Sequence, residues 1–340
     1  MRSALASPPK ATDYADAAEA HDRGAVLLAA VFQAFLEIYE ARVTDLKRIA
    51  TGGTGVLPPG DIPVDLVNRM AREASMAASH VLNTCIRALD YCPPVDLTFG
   101  DYLRALITAD MDVEPTDELN YRTAFISGFR ARGIFASGVR NLSEENLRWQ
   151  PPSFTLDPER MRKLLGALDL SWDVSSNRME AYLHSESNGH ILWQWLQDNL
   201  NPAETRMLEN DLGVYVKPGP DVPKTVPMRD GLPALQIHSV RPARRINGRG
   251  QQITDLVVEA VQRFVVKDPD TGMKTRHRGG CTLLIDMKNL RIRYAVRKRV
   301  NSASRIQAEQ DFLRMTAEDS QPYFDYIKDH EPFAILHRGV

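Results

Sequence analysis

The segment AVLLAAVFQAFLEIYEAR, residues 25–42, sets the tightest limit on what this chain can fold into. Val26, Leu27, Val31, Phe32, Phe35, Leu36 and Ile38 recur at helical spacing, and Ala29, Ala30 and Ala34 fill the gaps between them. A helix that is apolar around most of its circumference has to be enclosed by other elements. The pattern therefore predicts a central helix over 21–42 inside a helical bundle.

The neighbouring segments supply that bundle. TGGTGVLPPGDIP at 51–63 breaks the first helix with Gly and Pro, and the GGTG at 52–55 lacks the Lys and Ser/Thr of a phosphate loop, so it reads as an interhelical loop. A second helix is expected over 64–89, stopping before Pro93 and Pro94. Thr98, with Asp101 three residues later, is placed to cap a helix beginning FGDYLRALITAD. A further helix over 117–132 should end at Gly133. Residues 1–18, small, polar and Pro-containing, read as a flexible tail.

The residues AHDRGAVLLAAVFQAFLEIYEAR, SHVLNTCIRALDYCPPVDLTFGDYLRALITAD and YRTAFISGFRARGI together resemble the C-terminal helical lobe of thermolysin-like (gluzincin) zinc metallopeptidases, and a bacterial branch of them in particular. The resemblance covers about 115 to 130 residues. It implies that His21, with Gly24 opening the long helix, is the oxyanion-stabilising residue, conditional on a zinc lobe elsewhere. It also implies zinc in that lobe and not in this chain. No H-E-x-x-H occurs here, and none of the eight histidines has another four residues away. Catalytic zinc needs three protein ligands and a general base, so the resemblance implies a protein that is non-catalytic by itself. A truncated product or one half of a split enzyme is the expectation, with the missing lobe or another protein as partner. His21 also reads, more simply, as a histidine at a helix start that binds nothing.

Beyond residue 142 the pattern changes. Asp157-Pro158-Glu159 is a helix start, and 191–200 and 202–212 are also helical in pattern. KPGPDVPKTVPMRDGLP at 217–233 reads as a long loop or linker. LQIHSV, ITDLVVEAVQRFVV, GGCTLLIDM and LRIRYAVRKRV then give β-rich runs separated by turn signals, DPDTG at 268–272 and MKN at 287–289. They predict an antiparallel meander, covered by helices near 302–316 and 319–328 through Phe312, Leu313 and Phe324. The fold class is α+β: a mainly helical N-terminal region, then short helices, then an antiparallel sheet with covering helices. The expected divisions are 1–18, 19–142, 143–233 and 234–340.

Between residues 234 and 305 there are 16 Lys and Arg against 5 Asp and Glu, within a chain whose net charge is only −2. Strand alternation places Leu290, Ile292, Tyr294 and Val296 on one face and Arg291, Arg293, Arg297 and Arg299 on the other. Such a stripe is an anion site for nucleic acid or an acidic partner. Equally, it is a face that meets the acidic remainder of the same protein, or is only solvated. The alternative function is thus a non-enzymatic interaction protein that binds through its basic sheet. His184, Glu186 and His190 have no metal-ligand spacing and read as a surface turn. Cys85, Cys92 and Cys281 are too few and too oddly spaced for a disulfide framework, and with no secretory leader pattern they suggest a cytoplasmic protein. No uncharged apolar run approaches the roughly 18 residues that cross a bilayer, so no membrane partner is expected.

Overall fold

The structure, a computed structural model, describes residues 8–17, 20–57, 59–170, 177–246, 252–267, 272 and 274–315. The fold is α+β, and the chain divides into two compact units. The first takes in the chain up to Cys92, Leu97–Pro151 and Ala243–Asp255; the second takes in Pro93–Asp96, Pro152–Pro242 and Leu256–Val340.

Unit 1 is helical: α1 (Asp13–Asp16), α2 (Ala20–Ala50), α3 (Val64–Ala88), α4 (Phe99–Val113), α5 (Tyr121–Ala131) and α6 (Glu144–Leu147). The first long helix runs eight residues past the expected end at 42 before Gly52 and Gly53, at positive φ, turn the chain. Its packing rests on its smallest residues. Ala29, Ala30, Ala34, Ile38 and Val43 are buried, while Val26, Phe32 and Phe35 are half-buried and Leu28 and Leu36 are exposed. The reason is the close crossing with α5: a Cβ on Gly128 would lie 2.4 Å from the Ala30 carbonyl oxygen. A backbone that approaches so near leaves room only for small side chains between the helices. By length and composition α2 also meets the requirement for a membrane span, as core helices of bundles can. The Thr98–Asp101 capping box forms as expected, with both reciprocal bonds present. Residues 10–17, expected to be part of a flexible tail, are held: Asp13 pairs with Arg132 at 2.8 Å and Ala17 is buried.

Unit 2 joins helices to a sheet. α7 (Pro158–Ala167), α8 (Arg178–Asn199) and α9 (Pro202–Leu212) are followed by a small pair, β1 (Met228–Arg229) and β2 (Leu232–Pro233). Then come β3 (Leu235–Ile246), β4 (Gln252–Lys267), β5 (Lys274–Asp286), β6 (Arg291–Lys298) and α10 (Ala303–Met315). The four long strands pair in sequence order as an antiparallel sheet. Asp157 caps α7 with Pro158 in its first turn, as the sequence suggests. Helix α8 begins at Arg178, so His184, Glu186 and His190 lie on a helix and not in a surface turn.

The sheet is covered by different elements from those expected. Met161, Leu164, Leu165, Leu192, Leu196, Leu208 and Leu212 of α7–α9 form one core with Val240, Leu256, Val258, Cys281 and Ile285 of the sheet. The last helix, α10, supplies Ile306 to a smaller cluster with Val226, Phe264 and Val300. The expected helix over 319–328, Phe324, and the side chains of Phe312 and Leu313 lie outside the described residues.

The alternation read along β6 needs a correction. Leu284 pairs with Tyr294, but Ile285 pairs with Ile292, so Arg293 is skipped in a β-bulge. One extra residue on one strand reverses the facing of everything beyond it. Ile292, Ala295 and Arg297 therefore share the face of Ile285, Leu283 and Cys281, while Tyr294 and Val296 are buried on the opposite face with Leu284 and Thr282.

Candidate functional site

A cavity within unit 1 is built around a polar stripe on α3. His80, Asn83, Thr84 and Arg87 stand at i, i+3, i+4 and i+7, one face of a helix whose other residues are mostly apolar. Val113, at the end of α4, closes one side. Arg244 and Arg245 from β3 and Gln252 from β4 close the other, enclosing a cavity of about 550 Å³. Three of these eight side chains are arginines and none is a carboxylate.

Hydrogen bonds fix two members of this wall. His80 Nε2 lies 2.8 Å from Asp110 Oδ1, and its ring packs on Tyr121 with centroids 4.0 Å apart. The other oxygen of Asp110 accepts from Arg122 Nη1 at 3.0 Å, and Arg122 also donates to Glu144 and to the Glu114 carbonyl oxygen. Arg245, on the far side, donates through Nη1 to Tyr91 Oη at 2.6 Å and reaches Asp255 through Nη2 at 3.1 Å. Tyr91 in turn donates to Asp112 at 2.7 Å. The Nε–H of Arg245 is sealed from solvent and has no acceptor among the described residues. A guanidinium has five donors, and leaving one buried and unmet is costly.

The electrostatics point the same way. Arg87 is held below its ordinary pKa, first by burial and then by the positive charge of Arg245. Arg87 and Arg245 are close enough to repel one another, with Asp90 and Asp255 offsetting part of that repulsion, and Arg244 adds an exposed third guanidinium to the wall. Arginine forks match carboxylate and phosphate oxygens in pairs. Chemically the wall is suited to holding an oxyanion.

The residues singled out from sequence lie elsewhere. His21 is exposed in the first turn of α2, and Gly24 lies inside that helix, not at its start. The four arginines of the proposed stripe are divided. Arg297 Nη1 donates to the carbonyl oxygens of Asn210 and Asp211, at 2.8 and 3.2 Å, and Arg299 donates to the Asn210 side chain at 2.8 Å. Both therefore neutralise the negative C-terminal end of α9. Arg291 pairs in register with Asp286, and Arg293, the bulge residue, lies over the Tyr294 ring at 5.4 Å. No group of three His, Cys, Asp or Glu able to hold a metal occurs among the described residues. Sequence reasoning missed the cavity, although the HxxNTxxR spacing on an otherwise apolar helix is a readable signal. Comparison with protein-family models, curated proteins and solved structures gave no match to this chain.

Proposed function

We propose that unit 1 is a binding module for a small oxyanion, such as the phosphate or carboxylate group of a metabolite. Arg87, Arg244 and Arg245 supply the charge; Asn83, Thr84, Gln252 and His80 supply directed hydrogen bonds. The observation that carries this reading is the cavity wall itself, which brings three guanidinium groups together and includes no carboxylate. Calorimetric titration with inorganic phosphate, pyrophosphate and succinate tests it. Saturable one-site binding of at least one of these, weakened about tenfold or more in Arg87→Gln, is the expected result, a loss of about 1.4 kcal/mol or more. At a ligand concentration 100 times Kd, stability should rise by about 2.7 kcal/mol. No heat with any of the three, and no change in melting temperature, would sink the proposal. Phosphate and succinate separate the two chemical sources.

A second reading follows the peptidase resemblance, in which unit 1 is one lobe of a two-part enzyme with zinc in the other. It is favoured by the half-buried Phe32 and Phe35 and the exposed Leu28 and Leu36, which share one side of α2. Its test is metal analysis and light scattering on material isolated from the native cell. One zinc per complex with a second polypeptide supports it; a zinc-free single chain removes it.

A further inference from the structure

A cluster of exposed positive charge lies at the hairpin end of the two inner strands, β4 and β5, in unit 2. Along β5, Lys274, Arg276 and Arg278 are exposed and alternate with buried Thr275, His277 and Gly279. Along β4, Arg263 and Lys267 are exposed, flanking the half-buried Val265. Two contacts set the strands against each other. Thr275 Oγ1 reaches the Val266 carbonyl oxygen at 3.3 Å, and a Cβ on Gly280 would meet Ala260 and Val261. That alignment brings Arg263 alongside Arg278 and Lys267 alongside Lys274.

The buried face beneath is firmly built. His277 is held between Thr275 Oγ1 at 2.8 Å and Glu309 Oε2 at 2.5 Å, and its ring packs against Phe264. The five cations thus stand on a fixed platform. Alternate residues of a strand are about 6.6 Å apart and neighbouring strands about 4.8 Å apart. Both spacings fall within the Debye length of about 8 Å at physiological salt, so the five potentials add. Like charges alongside each other on adjacent strands destabilise a sheet. Arg245 and Arg297 of this sheet have carboxylate neighbours, whereas these five form no ion pair with a carboxylate among the described residues.

From this arrangement we infer that the β4–β5 face binds the phosphate backbone of duplex nucleic acid without regard to sequence. The absence of any aromatic residue among Arg263, Val265, Lys267, Lys274, Arg276 and Arg278 selects the duplex. Single strands are held largely by stacking on aromatic rings, which this face does not offer, whereas a duplex is held by its phosphates.

Fluorescence anisotropy with short duplex DNA, single-stranded DNA of the same sequence and poly-glutamate tests the inference on the full chain. Duplex binding should weaken with salt along a slope of about −4 in log K against log salt, near −0.9 for each phosphate neutralised. Single strands should bind more weakly. The double variant Arg276→Glu, Arg278→Glu should bind at least about tenfold more weakly and with a slope shallower by about 2. Its melting temperature should not fall, since both residues are exposed and the reversal relieves the repulsion between Arg278 and Arg263. Arg291→Glu, on β6, should leave affinity as it was. The inference is overturned by failure to bind duplex at about 50 mM salt, by tighter binding of the single strand, by full affinity in the double variant, or by binding of poly-glutamate alone, which would assign the face to an acidic polypeptide and not to a phosphate backbone.

Discussion

Arg122 gathers three carboxylates in unit 1. It is 4% exposed and lies among Asp110 at 3.0 Å, Asp117 at 3.6 Å and Glu144. Removing one partner of a buried ion pair leaves the others charged and dry. Arg122→Met should therefore cost about 3–5 kcal/mol, read from urea unfolding, and added salt should recover little of it. A loss below about 1 kcal/mol would mean that the carboxylates find other partners. Cysteines offer a second test. Burial first, then the charges of Asp101 and Asp90, push the Cys92 thiol up from 9.0 to about 12. The folded state thus favours the protonated thiol. Its contribution is complete below pH 9 and is lost as pH rises from 9 toward 12. The stability difference between the wild type and Cys92→Ala should shrink over that interval, and Cys92 should resist thiol reagents at pH 8 until the chain unfolds. Equal reactivity in the folded and unfolded chain would refute the assignment. None of this was legible in the sequence. Arg122 stands in YRTAFISGFRARG like any surface arginine, and only the fold brings Asp110, Asp117 and Glu144 to it.

At the scale of elements, local signals were read correctly where a short motif carries its own physics. Thr98 with Asp101, Asp157 before Pro158, and Gly133 after α5 at φ 74 all do what their chemistry dictates. The reading failed where the decisive contact is distant. Helix α8 buries little beyond Asn188, Gly189, Leu192 and Leu196, too narrow an apolar stripe to announce its first three turns. The bulge at Arg293 carries no glycine and no local mark, so strict alternation along β6 misplaced Ile292 relative to Tyr294. In α2 the large apolar residues drew attention, yet the small ones make the crossing. Gly128→Ala tests that crossing directly. The new methyl carbon would meet the Ala30 carbonyl oxygen at 2.4 Å, closer than real Cβ contacts come, so α2 and α5 must separate. A cost of about 1–3 kcal/mol is expected by chemical denaturation, despite the higher helix propensity of alanine. Gly166→Ala, where a Cβ meets nothing within 4 Å, is the matched control and should be neutral or stabilising. Equal effects at the two positions would show that the crossing tolerates more space than the geometry implies.

At the scale of the whole molecule, the sequence does not reveal that unit 1 is discontinuous. Its last piece, Ala243–Asp255, arrives about ninety residues after Pro151. No composition shift marks it, because these residues are also the ends of two long β-strands. Yet they supply Arg244, Arg245 and Gln252 to the cavity, and Arg245 is the buried partner of Tyr91 and Asp112. A fragment of residues 1–151 therefore contains every helix of unit 1 but leaves Asp112, whose side chain is 5% exposed in the full chain, without its guanidinium. Two consequences should appear together. The fragment should keep helical circular dichroism while unfolding at lower denaturant than unit 1 does in the full chain, since a carboxylate stripped of its buried partner is destabilising by several kcal/mol. It should also lose phosphate-type binding, because two of the three cavity arginines are gone. Asp112→Asn, introduced into the fragment, should restore part of the stability and none of the binding. That split separates the structural work of Arg245 from its work in the cavity. If the fragment instead binds the same anion with the affinity of the full chain, the cavity between α3 and the strand ends is not the binding site.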